Sequence, residues 1–144
     1  MATSNAATNY LERRLLHYIF KNNSLSFSSP GDSIYVGLCT AVSAAETGSV
    51  TEASYSGYAR QQVTASEWTT IGADSTDTQT AKNTSAIEFP AKADSGNVTI
   101  THVIIADASS SGNILFVGAL DASKTLAQND IFRINATNLS IELK

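Results

Sequence analysis

The side chains that most readily do chemistry are sparse in this chain: two histidines, one cysteine and 13 carboxylates in 144 residues. His17 shares a segment with Glu12, Arg13, Arg14 and Lys21 and reads as part of a solvated polar face. His102 lies in the apolar run Val98–Ala106 and reads as a core or interface histidine with a satisfied hydrogen bond. Zinc needs three or four nitrogen or sulfur ligands brought together. Two separated histidines and a single cysteine have no such spacing. Cys39 alternates with apolar residues, the pattern of a small buried hydrophobe and not of a nucleophile. Asp74 and Asp77 put two carboxylates in one polar loop, but calcium asks for six or more oxygens around a tight turn. The sequence has no glycine-rich phosphate loop, nucleophile elbow or His-Glu-x-x-His. Sugar binding would use exposed rings beside carboxylates, and Trp68, Tyr55 and Tyr58 near Glu67 are the candidates; packing in the sheet is the competing reading. The Asn-x-Ser/Thr triplets at Asn22, Asn83, Asn97, Asn135 and Asn138 are what an Asn-, Ser- and Thr-rich chain yields by chance. The expectation is therefore no catalytic residue, no metal ligand, no cofactor and no enzyme.

Arg60 and Arg133 are lone cations within strand-like segments. Each is expected to pair with a carboxylate or with carbonyls at a sheet edge or interface, because a guanidinium presents a fixed fork of donors.

The elements that would carry these residues begin with a flexible polar arm over 1–9. A helix is expected over 10–21, opened by the capping box Asn9-Tyr-Leu-Glu12. Leu11, Leu15, Tyr18 and Ile19 recur at helical spacing, with Leu16 and Phe20 widening the stripe. This face should dock on the remaining domain or on a partner subunit. Asn22-Asn23 ends the helix, since Asn tolerates the left-handed conformation. Everything later reads as strands and turns: Ile34–Leu38, Tyr58–Thr64, a short piece at Trp68–Ile71, Ser85–Phe89, Val98–Ala106, Ile114–Leu120, Asp130–Ile134 and Leu139–Leu143. Residues 41–57 and 72–83 read as loops. In the most apolar strand, strict alternation places Val98, Ile100, His102 and Ile104 on one face and Val103 and Ile105 on the other. About eight strands with apolar residues on both faces predict two packed sheets: a mainly β chain, an antiparallel β-sandwich or jelly-roll-like fold with one N-terminal α-helix, forming a single domain over 10–144.

Composition narrows the class. Length fits one domain with a real core. With 9 Lys plus Arg against 13 acids the net charge is −4, and no basic cluster is dense enough to neutralise phosphates, so nucleic acid is not expected as a partner. No apolar run reaches the ~18 residues of a membrane span, and the polar start lacks the apolar core of a secretory signal. Charge is low, and 19 serines and 16 threonines carry the polar surface. That is the surface of an extracellular or virion-type β-protein.

Several stretches, taken in order, carry a resemblance. They are Tyr10-Leu-Glu-Arg-Arg-Leu-Leu-His17, Ile34-Tyr-Val-Gly-Leu38, Ser56-Gly-Tyr-Ala-Arg-Gln61, Ile87-Glu-Phe-Pro-Ala91, Val98–Ala108, Gly112–Leu120 and Asn129–Ile134. The chain resembles small tailed-phage virion proteins often labelled phage tail fiber protein. The resemblance implies a structural protein of the virion, in contact with the major capsid protein or with tail proteins. A fibre shaft needs long repeats, and none is present. A globular β-domain with a detachable helix therefore points first to a capsid decoration, or cement, protein. A tail-fibre or tail-associated role in host adsorption is the alternative. The binding would be adhesive, with weak contacts multiplied over symmetric copies and the chain itself a homo-oligomer. Leu11, Leu15, Tyr18, Ile19, Arg60 and Arg133 are the expected interface residues.

Overall fold

The computed structural model describes residues 5–22, 34–69, 71–72 and 79–143. Asp74, Asp77 and Asn23 lie outside them, as do residues 1–4 of the expected arm. The described chain is mainly β with one helix, an antiparallel β-sandwich built on a curled sheet. The large sheet runs in the order β1 (Ala6–Ala7), β8 (Ile114–Leu126), β7 (Val98–Ala106), β2 (Tyr35–Ala44) and β3 (Ser49–Glu52), with β4 (Gln61–Gln62) also paired to β2. Two small ribbons complete the second layer: β5 (Gln79–Lys82) with β10 (Ser140–Leu143), and β6 (Ile87–Glu88) with β9 (Arg133–Ile134).

Between the layers lies the main core. Val36, Leu38, Ile100, Val103 and Ile105 of the large sheet meet Tyr55, Val63, Ile87, Phe89, Phe132, Ile134 and Leu139. Aromatic rings hold its centre: Phe89 stacks on Tyr58 at 6.3 Å and meets Phe132 edge-on at 5.9 Å. A smaller cluster of Cys39, Ala45, Ile104 and Val117 fills the other face of the sheet. β-Branched residues dominate both faces of β7, as expected of a strand buried on both sides.

The alternation expected along β7 breaks at its centre. Ile100 pairs with Lys124, but His102 pairs with Ala119. Four residues of β8, Leu120 to Ser123, thus stand opposite Thr101 alone. Such a bulge re-aims the side chains on either side of it. Ile100 therefore shares the main core with Val103 and Ile105, while Ile104 belongs to the smaller cluster.

Other boundaries shift for related reasons. β2 continues to Ala44 and pairs with β3, so much of the expected loop over 41–57 is a hairpin. β8 continues to Leu126 through exposed polar residues. Residues 79–82, expected in a loop, form β5 against β10. Tyr58–Thr64 contributes only the two residues of β4, and Trp68 makes a single bridge to Asn83.

α1 spans Asn9–Lys21, and its N-cap is Thr8, not Asn9. The Thr8 hydroxyl accepts from the Leu11 amide at 3.4 Å and donates to the Ile114 carbonyl at 2.6 Å. Ahead of it, Ala6 and Ala7 pair with Val117 and Phe116, and the Asn5 side chain accepts from the Ala119 amide. Where the described chain begins, the expected arm is thus tied to the edge of β8, and Thr8 is buried. Asn22, in the left-handed region at φ 54°, closes the helix by donating its amide to the His17 carbonyl.

Candidate interaction surface

Most of the polar side chains singled out from the sequence are engaged inside the chain. Arg60 sits on the loop entering β4, with its side chain only 6% exposed. Its Nε and Nη2 donate to the two carboxylate oxygens of Glu52 on β3, each at 2.8 Å. Its Nη1 donates to the carbonyls of Ala108 and Ser111 at 2.8 and 2.9 Å. Tyr58 Oη donates to Glu52 Oε1 at 2.7 Å and accepts from the Leu38 amide at 2.9 Å. The group closes over Gly37, where an added Cβ would stand 3.0 Å from Tyr58 Oη and 3.1 Å from Glu52 Oε1. Burial alone would raise the Glu52 pKa, but the hydrogen bonds from Arg60 and Tyr58 outweigh it and hold the carboxyl below its usual range. Burial, reinforced by the hydrogen bond to Glu52, pushes the Tyr58 phenol well up. Arg60 thus makes the pairing expected of it, with a carboxylate and carbonyls of its own chain. Through it the β2–β3 hairpin is fastened to the turn that joins β7 to β8. Asp107 closes that turn by accepting from the Asn113 backbone and side chain at 2.7 and 2.8 Å.

Arg133 has a different setting. It lies opposite Glu88 across the β6–β9 ribbon and pairs with it at 3.0 Å, both side chains being about half exposed. An exposed pair of this kind contributes ~0–1 kcal/mol. Arg133 also lines an open groove of about 980 Å³ whose lining from β8 and the β9–β10 segment includes Phe116, Leu120, Phe132 and Ile141.

The aromatic residues weighed for sugar binding are engaged as well. Tyr55 is buried and donates to the Pro90 carbonyl at 3.3 Å. Trp68 packs against the core. The Glu67 carboxylate accepts from the Thr64 amide and hydroxyl at 2.8 and 2.9 Å. Burial raises the Cys39 thiol to about 12 and keeps it protonated at neutral pH. His102 is held below its usual pKa by burial, and its Nδ1 meets the Thr101 hydroxyl at 2.8 Å. Among the described residues no group of three or more His, Cys, Asp or Glu is placed to hold a metal ion. None of their helices is long and apolar enough to cross a membrane.

Two buried polar residues escaped the sequence reading. Asn83 donates to the Ser85 and Asn135 carbonyls and accepts from the Leu139 amide, so it is a structural cross-link and no glycan acceptor. Lys92, 2% exposed, donates to the Asp94 and Ser95 carbonyls and pairs with the Asp94 carboxylate at 3.1 Å.

α1 presents the opposite picture. Not one of its residues is buried. Leu15, Leu16, Tyr18, Ile19 and Phe20 are 43, 56, 55, 58 and 74% exposed. The half-buried positions are Tyr10, Leu11, Arg14 and His17. The helix therefore leans on the body with a mixed side, where Arg14 lies 5.4 Å over the Tyr10 ring, and turns Leu15, Leu16, Tyr18, Ile19 and Phe20 outward. Among the described residues, the stripe from Leu15 to Phe20 stays off the sandwich, and only Leu11 of the expected docking face is half-buried. Leu11, Leu15, Tyr18 and Ile19 share one side of α1, while Arg60 and Arg133 belong to separate settings on the body.

A search of the curated proteins finds no match. A family model described as "Podophage GP4 fiber I protein gp80" matches residues 6–142, which takes in α1 and every strand from the pairing of β1 onward. The chain belongs to this podophage fibre protein family.

Proposed function

We propose that this chain is a non-catalytic, tail-fibre-associated component of a podophage virion, and that it joins the assembly through α1. The observation that carries the reading is the exposed stripe of α1 on a helix rooted firmly at its N-terminus. Exposed apolar patches of this kind mark contact sites on proteins. The family's description as a fibre protein supports the fibre over the head lattice. The engagement of Arg60, Glu52, Tyr58 and Glu67 in internal hydrogen bonds supports a structural role over catalysis.

Labelling of intact virions with antibody to this chain, together with copy number from quantitative gels, tests the reading. Few copies, confined to the tail, are expected. Many symmetric copies over the head would overturn it in favour of a capsid decoration protein, whose binding would stabilise the lattice by mass action.

A further inference from the structure

We propose that the open groove between β8 and the β9–β10 wall is a strand-accepting slot, and that its occupant is an extended, uncharged segment of another protein with apolar residues at alternate positions. The contact is separate from α1 and goes beyond the fibre reading.

The first observation is which edges face the groove. Among the described residues, its lining takes Arg133 and Ile134 of β9 and Ser140 to Glu142 of β10, and nothing from their ribbon partners β6 and β5. The main chain agrees. The Phe132 carbonyl accepts from the Phe89 amide at 2.9 Å, on the β6 side. Leu139 turns both of its groups to Asn83: its carbonyl accepts from the Asn83 amide at 3.3 Å, and its amide donates to Asn83 Oδ1 at 2.9 Å. Successive residues of an antiparallel strand send these groups to opposite sides. Arg133 and Ser140, each one residue further on, therefore aim N–H and C=O into the groove. Such an edge is a template for one more strand, and a polypeptide main chain is what matches it.

The second observation is the floor and the rim. Val103 and Ile105, which belong to the main core, reach the groove beside Phe116, Leu120 and Ile141. The second layer thus stops short of covering this part of β8, and the alternate apolar side chains of an added strand would close the sandwich over it. Charge on the rim is balanced, with Asp121 and Lys124 on β8 and Arg133 and Glu142 on the facing wall. A balanced rim complements a segment without net charge.

Shape selects among occupants. A slot between two layers admits one extended strand and not the edge of a folded sheet. The apolar strands β7 and β2 are paired along both sides, so a second copy has neither of them to lend. The bulge of Leu120 to Ser123 interrupts the β8 border, which leaves the β9–β10 wall as the side that pairs.

The test is fluorescence anisotropy of a labelled, end-blocked peptide of alternating valine and threonine, about seven residues or ~23 Å when extended, titrated with the purified full chain. Saturable binding at micromolar chain is expected. Affinity should fall at least about tenfold with Ser140→Pro, which removes an N–H aimed at the groove, and with Leu120→Asp on the half-exposed floor. The two variants act on edge and floor separately, so either one decides if near-UV circular dichroism shows that the other does not fold. The same peptide methylated on its amide nitrogens should lose binding, and Leu15→Glu plus Ile19→Glu on α1 should bind as the parent does. Absence of saturation, equal binding of the methylated peptide, or parental affinity in the folded groove variants would each overturn the proposal. So would binding that appears only once residues 1–4 are removed, which gives the slot to the chain's own start, or binding that falls off as chain concentration rises, which gives it to a second copy. Virion labelling is independent of all these readouts, so a failure here leaves the fibre reading intact.

Discussion

Arg60 and the stripe of α1 invite comparison because each reverses what residue type alone suggests. The guanidinium is nearly sealed from solvent, its forked donors used on Glu52 and on two carbonyls of the Asp107–Asn113 turn. The leucines, isoleucine and aromatics of α1 stand in water. A cation is buried here because carboxylate and carbonyl acceptors surround it, which offsets the cost of leaving water. The apolar stripe stays exposed because the helix turns the side carrying Tyr10, Leu11, Arg14 and His17 to the body. Among the described residues the body thus satisfies its buried charge internally, while α1 leaves its apolar stripe open.

Breaking the buried side of the comparison should have the largest effect. Arg60→Ala leaves the Glu52 carboxylate half-buried without its main partner and frees the turn after β7. Loss of one partner from a buried pair costs about 3–5 kcal/mol. Because Glu52 retains some exposure, a loss near ~3 kcal/mol is expected by denaturant unfolding. Gly37→Ala should follow. The new methyl would lie 2.9 Å from Ile104 Cγ1 and against Tyr58 Oη and Glu52 Oε1, and overpacking of this kind costs ~1–3 kcal/mol. Full recovery of stability with either variant would show that the brace is slack.

Acid sharpens the same side. The folded pKa of Glu52 is lowered, so its contribution is fully present above the unfolded carboxyl value, ~4.3. It is lost as pH falls through the folded value. Unfolding free energy measured from pH 5 downward should decline, and Glu52→Gln should decline less steeply. The smallest effect belongs to the exposed side. Leu15→Ala would cost several kcal/mol at a buried site, but with 43% of Leu15 exposed a change within ~0.5 kcal/mol is expected for the isolated body. A larger loss at concentrations where the chain is monomeric would mean that the stripe packs on its own body after all.

These two regions were unequally legible in the sequence. The helical stripe could be read directly, because a helix repeats locally and its apolar residues lie three and four apart. β7 was legible for its density of branched apolar residues. The far half of β8 was not, since Asp121 to Thr125 is exposed and polar and resembles a loop to any pattern rule. The pairing of Arg60 could be anticipated, but its partners could not. Glu52 lies 8 residues away and Ser111 lies 51 away, and only the folded sheet brings them together. Thr8 was hidden similarly: the capping box reads from Asn9, and the β8 carbonyl that accepts the Thr8 hydroxyl sets the cap one residue earlier. The direction in which the stripe faces was never a local property.

The bulge of Leu120 to Ser123 against Thr101 has a bearing on solubility while chains accumulate before assembly. β8 is 13 residues long, and β1 covers only two of them along its outer side. A straight, apolar border of that length would nucleate runaway stacking of sheets from one molecule to the next. Here a bulge interrupts the ladder midway, with Asp121 inside it and Lys124 beside it, both exposed. A bulged, charged stretch is a poor template for a further strand, so the outer border of β8 resists strand-by-strand growth from one molecule to the next.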